Sequence, residues 1–111
     1  MRRGDLVTIA VSGDCGKPRP ALVIQADVYS ELGSLTVLRL TSTLHDAGLV
    51  RITVRPSTEN GLRAVSQVMI DRAISLPRSK IGSAFGKLDD DTMQMVSRAV
   101  VNFLGLAGAM A

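Results

Sequence analysis

Aromatic residues are scarce in this sequence: they make up 3% of its 111 residues, and tryptophan is absent. Apolar residues nevertheless account for 46%, so a core has to be built from the aliphatic side chains of Val, Leu, Ile and Met. Disordered chains lack such residues, and a chain of this length is typical of one compact domain. We therefore predict a single domain over residues 1–111.

Cysteine and histidine occur once each, as Cys15 and His45. A single cysteine excludes an intramolecular disulfide framework, and the two residues together cannot supply a zinc ligand set. The three consecutive aspartates at 89–91 are better explained as the start of a helix than as a metal site. Cys15 lies in a turn-rich loop, "SGDCGK", with no histidine near it in sequence, which makes it a weak candidate for a nucleophile. The sequence therefore predicts neither a metal nor a cofactor.

Long hydrophobic runs are also missing, since no stretch approaches the roughly 18 apolar residues that a membrane-spanning helix needs. The start, "MRRGDLVTIAVSGD", is basic and then apolar, but Asp5 interrupts it and the apolar stretch is too short for a signal peptide. The single cysteine fits a reducing compartment. We expect a cytoplasmic protein with no membrane partner.

The charge is positive and unevenly distributed. The net charge is +3, and residues 1–88 carry +5 while residues 89–111 carry −2. A basic body indicates a polyanion as partner. A mildly basic surface kept for solubility explains the charge equally well.

Short apolar runs predict five or six strands between about residues 5 and 76. The run 50–55 alternates, with Arg51, Thr53 and Arg55 on the face opposite the apolar residues. The predicted strands are 6–11, 21–26, 35–43, 50–55, 64–70 and 73–76.

The hydrophobic period changes to that of a helix between about residues 89 and 105. Asp89 or Asp90 is suited to cap the start of this helix, and Gly105 to end it. We expect its apolar stripe, with both methionines and the phenylalanine, to belong to the core. The fold class is thus mainly β, a small and partly open barrel with a C-terminal amphipathic helix. The stripe consists of Met93, Val96, Val100 and Phe103, and the second methionine is Met95.

Arg19 stands between Pro18 and Pro20 at the start of the second apolar run. The prolines fix their own φ, and Pro20 biases Arg19 away from helix, so the arginine is held on stiff, extended backbone. A planar guanidinium held in this way is suited to bidentate hydrogen bonding with a phosphate. The alternative is that Pro-Arg-Pro simply opens a strand and that Arg19 pairs with a carboxylate.

Hydroxyl groups crowd the end of the third predicted strand, in the sequence "LTST". Thr41, Ser42 and Thr43 can donate hydrogen bonds to an oxyanion there, and Arg39 shares a strand face with Thr41. The alternative is that these are ordinary threonines at the edge of a sheet.

Taken in order, several motifs resemble the MazF/PemK (Kid) family of toxin endoribonucleases from type II toxin–antitoxin systems. The resemblance covers nearly the whole chain and implies an SH3-like barrel of the CcdB/MazF type that pairs as a homodimer. It implies metal-independent, sequence-specific cleavage of single-stranded mRNA, which inhibits translation and growth. It also implies a cognate antitoxin whose acidic, disordered tail fills the RNA groove. The motifs are "RGDLVTIAV", "GKPRPALVIQAD", "LTST", "SQVMIDRAISLPRSKIG", "GKLDDDTMQMV" and "LGL".

The resemblance also implies roles for individual residues. The arginine of the family's Arg-Pro pair corresponds to Arg19, and the catalytic threonine that ends the third strand corresponds to Thr41. Stabilising the charge of an RNA phosphate during attack by its own 2′-OH is a role that suits both side chains. The basic residues expected to bind the RNA are Lys17, Arg39, Arg51 and Arg55.

The group that moves the proton is less clearly marked. Some family members carry Asp or Glu followed by Gln on the fifth strand, and the alignment places Met69 there. Asp71, two residues on, is a substitute, although it can equally form an ion pair with Arg51 or Arg72. His45 is a second candidate because its ordinary pKa is near neutral, although a lone loop histidine is usually just solvated. Ser42 is a third supporting group.

Two other functions compete with this interpretation. A CcdB-like gyrase poison depends on a tryptophan near the C-terminus, and the chain has none. A non-catalytic nucleic-acid-binding barrel usually stacks bases on aromatic side chains, and only Tyr29, Phe85 and Phe103 are present. The matched Arg19 and Thr41 favour an enzyme.

Overall fold

The computed structural model describes residues 1–11, 17–46 and 48–109. The predicted loop 12–17, apart from Lys17, and Cys15 within it lie outside these ranges. Six antiparallel strands form one sheet in the order β4-β5-β3-β2-β1-β6, followed by a helix and one short helical turn. The elements are β1 Asp5–Ile9, β2 Arg19–Val23, β3 Ser34–Thr41, β4 Arg51–Val54, β5 Ser66–Pro77, β6 Ile81–Lys87, α1 Asp90–Phe103 and α2 Leu106–Ala109.

The fifth strand differs from the prediction, because 64–70 and 73–76 are parts of one strand. Leu38 of β3 pairs with Ala73, whereas Leu40, two residues on, pairs with Val68. β5 therefore bulges between Val68 and Ala73, which bends a strand without ending it. Asp71 lies in this bulge, and its polar side chain made the sequence look interrupted.

The sixth strand, Ile81–Lys87, was missed by the prediction that strands end near residue 76. Its residues are exposed or half-buried without a clear alternation, so the usual period-two signal is absent. Its two glycines allow close packing: a Cβ at Gly86 would overlap the carbonyl oxygen of Asn60, and one at Gly82 would overlap Oγ1 of Thr8.

Apolar side chains form two clusters, one on each face of the curled sheet. Because β3 lies in the middle, it is buried on both sides, with Leu38 and Leu40 in one cluster and Leu35 and Val37 in the other. We call the first the inner cluster, since α1 packs on it through Val96. The inner cluster is Leu6, Leu22, Leu38, Leu40, Ile52, Val54, Val68, Ile70, Leu88 and Val96; the outer cluster is Val7, Ile9, Ala21, Val23, Leu35 and Val37.

Helix α1 begins and ends as the sequence predicts. The Asp89 carboxylate accepts a hydrogen bond from the Thr92 main-chain N–H at 3.1 Å, and the hydrogen bonds from Thr92 hold the pKa of Asp89 below its usual range. Gly105 follows the helix with φ +74°, a conformation that glycine adopts at little cost.

The prediction that both methionines and Phe103 are core residues is wrong in part. Val96 is fully buried, and Met93 packs against the inner cluster. Met95 and Phe103 are 54% and 50% exposed. Met95 lies about 100° around the helix from Val96, and Phe103 is the last residue of α1, beyond the part that contacts the core.

The connection between β4 and β5 joins the two edges of the sheet. The buried Asn60 side chain organises it, accepting from the N–H groups of Ser57 and Leu62 at 2.9 and 3.0 Å and donating to Arg55 O at 2.9 Å. The Lys87 N–H of β6 donates to Glu59 O at 3.0 Å. The barrel is therefore closed by a loop rather than by strand pairing, which is the partly open form expected.

Across the described ranges, no helix combines the length and the hydropathy needed to span a bilayer.

Candidate active site

Strand register brings the two principal candidates to neighbouring positions. Ala21 of β2 pairs with Arg39 of β3, and Leu22 pairs with Leu38. Extending this antiparallel register by two residues places Arg19 opposite Thr41. Directly opposed residues share a face, so both side chains leave the sheet on the same side.

The same line continues across the next two strands. Thr41 pairs with Gln67 of β5, and Gln67 pairs with Thr53 of β4. Four polar side chains thus stand side by side on four adjacent strands, on the face opposite the inner cluster. We call Arg19, Thr41, Gln67 and Thr53 the polar row.

Positive charge lies on the same face. Arg39 is two residues before Thr41, and Arg51 is two residues before Thr53, so strand alternation directs both toward the side of the polar row. Both are half-buried, while Lys17 and Arg55 are exposed just outside β2 and β4. The structure therefore places the predicted RNA-binding residues on or beside one face.

Asp71 forms an ion pair with Arg51, the alternative that the sequence left open. Arg51 Nη1 donates to Asp71 Oδ1 and also to Val50 O at 3.0 Å, and its side chain is only 12% exposed. Partial burial acts to raise the pKa of Asp71. The hydrogen bond and the charge of Arg51 together lower it by more, so the pKa lies below its usual value. A carboxylate stabilised in this way is a weak base.

The loop after β3 is fixed by side chains of the polar row. Thr41 Oγ1 accepts a hydrogen bond from the Thr43 N–H at 3.1 Å. Gln67 accepts from the His45 N–H at 3.0 Å and donates to His45 O at 2.9 Å and to Thr53 Oγ1 at 3.3 Å. His45 is exposed, whereas Gln67 is 6% exposed.

Sequence analysis did not single out Gln67. The available signal was an amide side chain in the otherwise apolar run "AVSQVMI". A buried amide needs partners, but the sequence does not reveal that the partner is a loop 22 residues away.

Ser42 is directed away from the polar row. It follows Thr41, so alternation places it on the other face, where it lines a groove of about 680 Å³ together with Pro18, Pro20 and Phe85. The structure thus brings Thr41 close to Arg19 and separates Ser42 from both.

The position that the resemblance assigns to the family's acid, Met69, is half-buried in β5. The residue that directly precedes Gln67 is Ser66. Ser66 is buried and its hydroxyl donates to Ala64 O at 3.0 Å. Neither position supplies a carboxyl group.

Metal-ligating side chains do not cluster in the part of the chain that the structure describes: no three His, Cys, Asp or Glu residues there come together.

Comparison with known proteins identifies the family. Residues 2–104 match the family described as PemK-like, MazF-like toxin of type II toxin–antitoxin system. The chain is 43% identical over 109 residues to the "Probable endoribonuclease MazF" of Mycolicibacterium smegmatis, which covers 97% of this chain and 100% of that protein.

Solved structures share the fold. An endoribonuclease in complex with its cognate antitoxin, from Mycobacterial species, superposes with a TM-score of 0.80 at 20% identity over 96% of each chain. A crystal structure of MazE–MazF from Deinococcus radiodurans gives a TM-score of 0.75 at 26% identity over 95% of each chain. These matches confirm the predicted fold class, and the chain belongs to the PemK-like, MazF-like family of toxins from type II toxin–antitoxin systems.

Proposed function

We propose that this chain is a sequence-specific toxin endoribonuclease that cleaves single-stranded mRNA and thereby inhibits translation. The observation that carries the proposal is the register that brings Arg19 opposite Thr41. Family membership supports it, as does the relative from Mycolicibacterium smegmatis, which is named a probable endoribonuclease. Neither comparison favours a gyrase poison or a non-catalytic barrel.

The reaction uses groups that RNA, the polar row and His45 supply. The 2′-oxygen attacks the adjacent phosphorus, a P–O2′ bond forms and the P–O5′ bond breaks. The 2′-OH loses its proton, and the departing 5′-oxygen gains one. The products are a 2′,3′-cyclic phosphate and a 5′-OH, and no metal or cofactor enters the balance.

Arg19 and Thr41 divide the stabilisation of the transition state. Negative charge builds up on the phosphorane oxygens, and the guanidinium of Arg19 supplies a planar pair of N–H donors to them. Thr41 adds a hydroxyl donor from the neighbouring strand. Pro18 and Pro20 hold the backbone of Arg19 extended, so little rearrangement is needed at the moment of reaction.

His45 is the group we assign to proton transfer. Asp71 is engaged by Arg51, and neither Ser66 nor Met69 has a proton-accepting group that titrates near neutral pH. His45 lies four residues beyond Thr41, and its main chain is hydrogen-bonded to Gln67 of the polar row. Imidazole is the side chain that most often accepts and donates protons in enzymes.

The basic face accounts for the partners. RNA would contact Lys17, Arg39 and Arg55, while Arg51 is engaged by Asp71 and contributes less. A cognate antitoxin would cover the same face with an acidic, disordered tail. We further propose a homodimer in the cytoplasm, since pairing two small barrels would build a groove long enough for RNA.

The proposal is tested by incubating the protein with a mixed pool of single-stranded RNAs in EDTA and mapping the new ends. We expect cleavage at a short recurring sequence that leaves cyclic phosphate and 5′-OH ends. Activity that disappears in EDTA and returns with magnesium would contradict the mechanism. Absence of cleavage under both conditions would contradict the function.

A further inference from the structure

Gln67 binds the loop after β3 through both polar atoms of its side-chain amide, an arrangement we call the clasp. Its Oε1 accepts from the His45 N–H at 3.0 Å, and its Nε2 donates to His45 O at 2.9 Å. The amide thus occupies both main-chain hydrogen-bonding groups of one loop residue, as a neighbouring strand would. Nε2 also reaches Thr53 Oγ1 at 3.3 Å, which ties the clasp to β4.

The clasp is rigid because Gln67 is buried and is held by β3, by β4 and by the loop at His45. Its side chain is 6% exposed, and its backbone lies between β3 and β4, paired with Thr41 and Thr53. A buried amide that lost these partners would carry a cost of about 1–3 kcal/mol. His45 is therefore fixed at its main chain while its imidazole stays exposed.

We infer that Gln67 is a positioning residue, which acts on RNA cleavage by holding the main chain of His45 beside Thr41. This inference rests on the proposed function, in which His45 transfers a proton. Without the clasp, His45 would sit on an exposed loop attached only through the chain, and its imidazole would sample many positions relative to the phosphate. Displacement of a reacting group by about 1 Å can cost roughly a hundredfold in rate.

A matched control is present in the same chain. Gln25 makes an equivalent clasp, accepting from the Thr36 N–H at 3.1 Å and donating to Tyr29 O at 2.9 Å. Thr36 is five residues from Thr41 along β3, about 17 Å at strand spacing. Gln25→Met and Gln67→Met each remove one accepted and one donated hydrogen bond to the main chain, and Gln67→Met also removes the bond to Thr53 Oγ1. Of the two variants, Gln67→Met is the one that acts on His45.

The experiment measures kcat and KM separately for a defined single-stranded RNA, with melting temperatures for every variant. We expect Gln67→Met to lower kcat roughly 10- to 100-fold with KM changed by less than about threefold. The kcat of Gln25→Met should stay within about twofold of the wild-type value, even if its melting temperature falls as much as that of Gln67→Met. In a His45→Asn background, adding Gln67→Met should lower kcat by less than about twofold, because the group that it positions is already gone.

A second variant separates loss of positioning from loss of folding. Gln67→Asn keeps a buried amide but shortens it by one methylene, and we expect a kcat between those of wild type and Gln67→Met. The chain has one histidine, so the imidazole resonances of His45 can be followed by NMR without ambiguity. They should shift in both Gln67 variants and stay unchanged in Gln25→Met.

Three results would overturn the inference. The first is a kcat for the Gln67 variants equal to that of Gln25→Met. The second is a full additional loss from Gln67→Met in the His45→Asn background, which would mean that Gln67 acts by another route. The third is an inactive wild-type protein, which removes the proposed function as well, whereas the first two leave RNA cleavage by wild type intact.

Discussion

At the scale of residues, the face of the sheet that carries the polar row holds two kinds of pair. One pair is suited to catalysis, and in the other the opposite charges neutralise each other. Arg19 and Thr41 are neighbours through strand register, whereas Arg51 and Asp71 form an ion pair. Arg19, Arg39 and Arg51 share this face, and the ion pair gives Arg51 a structural partner there. Arg51 helps to hold the bulge in β5, and Arg19 is placed at the mouth of β2.

The ion pair predicts a specific pH dependence for the variant Asp71→Asn. The pKa of Asp71 is lowered in the folded protein, so the ionised carboxylate adds stability above its unfolded pKa of about 3.9. That stability is lost as the pH falls through the lowered folded value. We expect Asp71→Asn to be less stable than wild type by about 1 kcal/mol at pH 7, with the difference disappearing as the pH falls through the lowered pKa of Asp71.

Cleavage rates separate this role from catalysis. Asp71→Asn should retain kcat within about threefold of wild type, because a carboxylate with a lowered pKa is a weak base. Urea unfolding at several pH values gives the stability, and cleavage of a defined RNA gives the rate. A loss of a hundredfold in kcat without loss of stability would make Asp71 the base after all.

At the scale of elements, the barrel depends on a loop that closes it and on a glycine that lets the loop approach. The connection organised by Asn60 reaches β6 through the Lys87–Glu59 hydrogen bond. A Cβ at Gly86 would overlap the carbonyl oxygen of Asn60, which is backbone and cannot easily move aside. This contact explains why the sixth strand is rich in glycine.

Substitution at this position tests the closure. Gly86→Ala should destabilise the protein by about 1–3 kcal/mol through overpacking. Gly33→Ala is the matched control, because a Cβ there meets nothing within 4 Å, and it should be neutral or slightly stabilising. Melting temperatures report both, and equal values for the two variants would show that the loop does not press on β6.

The elements that sequence analysis predicted are those with local signals. The capping Asp89 and the terminating Gly105 mark α1 because their hydrogen bonds are made within a few residues. The period-two pattern marks β4 because it can be read from four consecutive residues. The bulge in β5 and the whole of β6 depend on contacts with distant strands, which is why the first was read as a break and the second was missed.

The candidate site was predictable to the same degree. Arg19 and Thr41 end neighbouring strands, and their motifs carry that information. Gln67 is hydrogen-bonded to a loop that folds back from β3, and Ser42 is turned away by simple alternation past a strand end. The spacing of the residues in the sequence predicts neither the contact of Gln67 with this loop nor the direction of Ser42.

At the scale of the whole molecule, the charge is concentrated on the barrel rather than on the helix. Residues 1–88 carry +5 and residues 89–111 carry −2. Lys17, Arg39 and Arg55 place part of this charge beside the polar row. The barrel thus carries a basic face, which is the proposed RNA-binding surface, while the acidic start of α1 serves the helix itself.

Salt dependence measures how much of the binding comes from this charge. The affinity for a non-cleavable single-stranded RNA should fall steeply with salt, with a slope near −0.7 for each phosphate neutralised. Arg55→Gln should reduce the magnitude of the slope by about 0.7, the contribution of one phosphate. The rate at which bound RNA is cleaved should stay nearly unchanged. Binding that stays flat from low to high salt would mean that RNA is held elsewhere.

The central claim is that Arg19 acts through the geometry of its guanidinium and not only through its charge. Single-turnover cleavage of a defined RNA by Arg19→Lys tests it most directly, with Arg98→Lys on α1 as control and binding measured beside the rate. We predict that Arg19→Lys keeps its fold and most of its RNA affinity but loses about 3–4 kcal/mol of transition-state stabilisation, a hundredfold or more in rate. A rate for Arg19→Lys close to that of wild type and of Arg98→Lys would contradict the account.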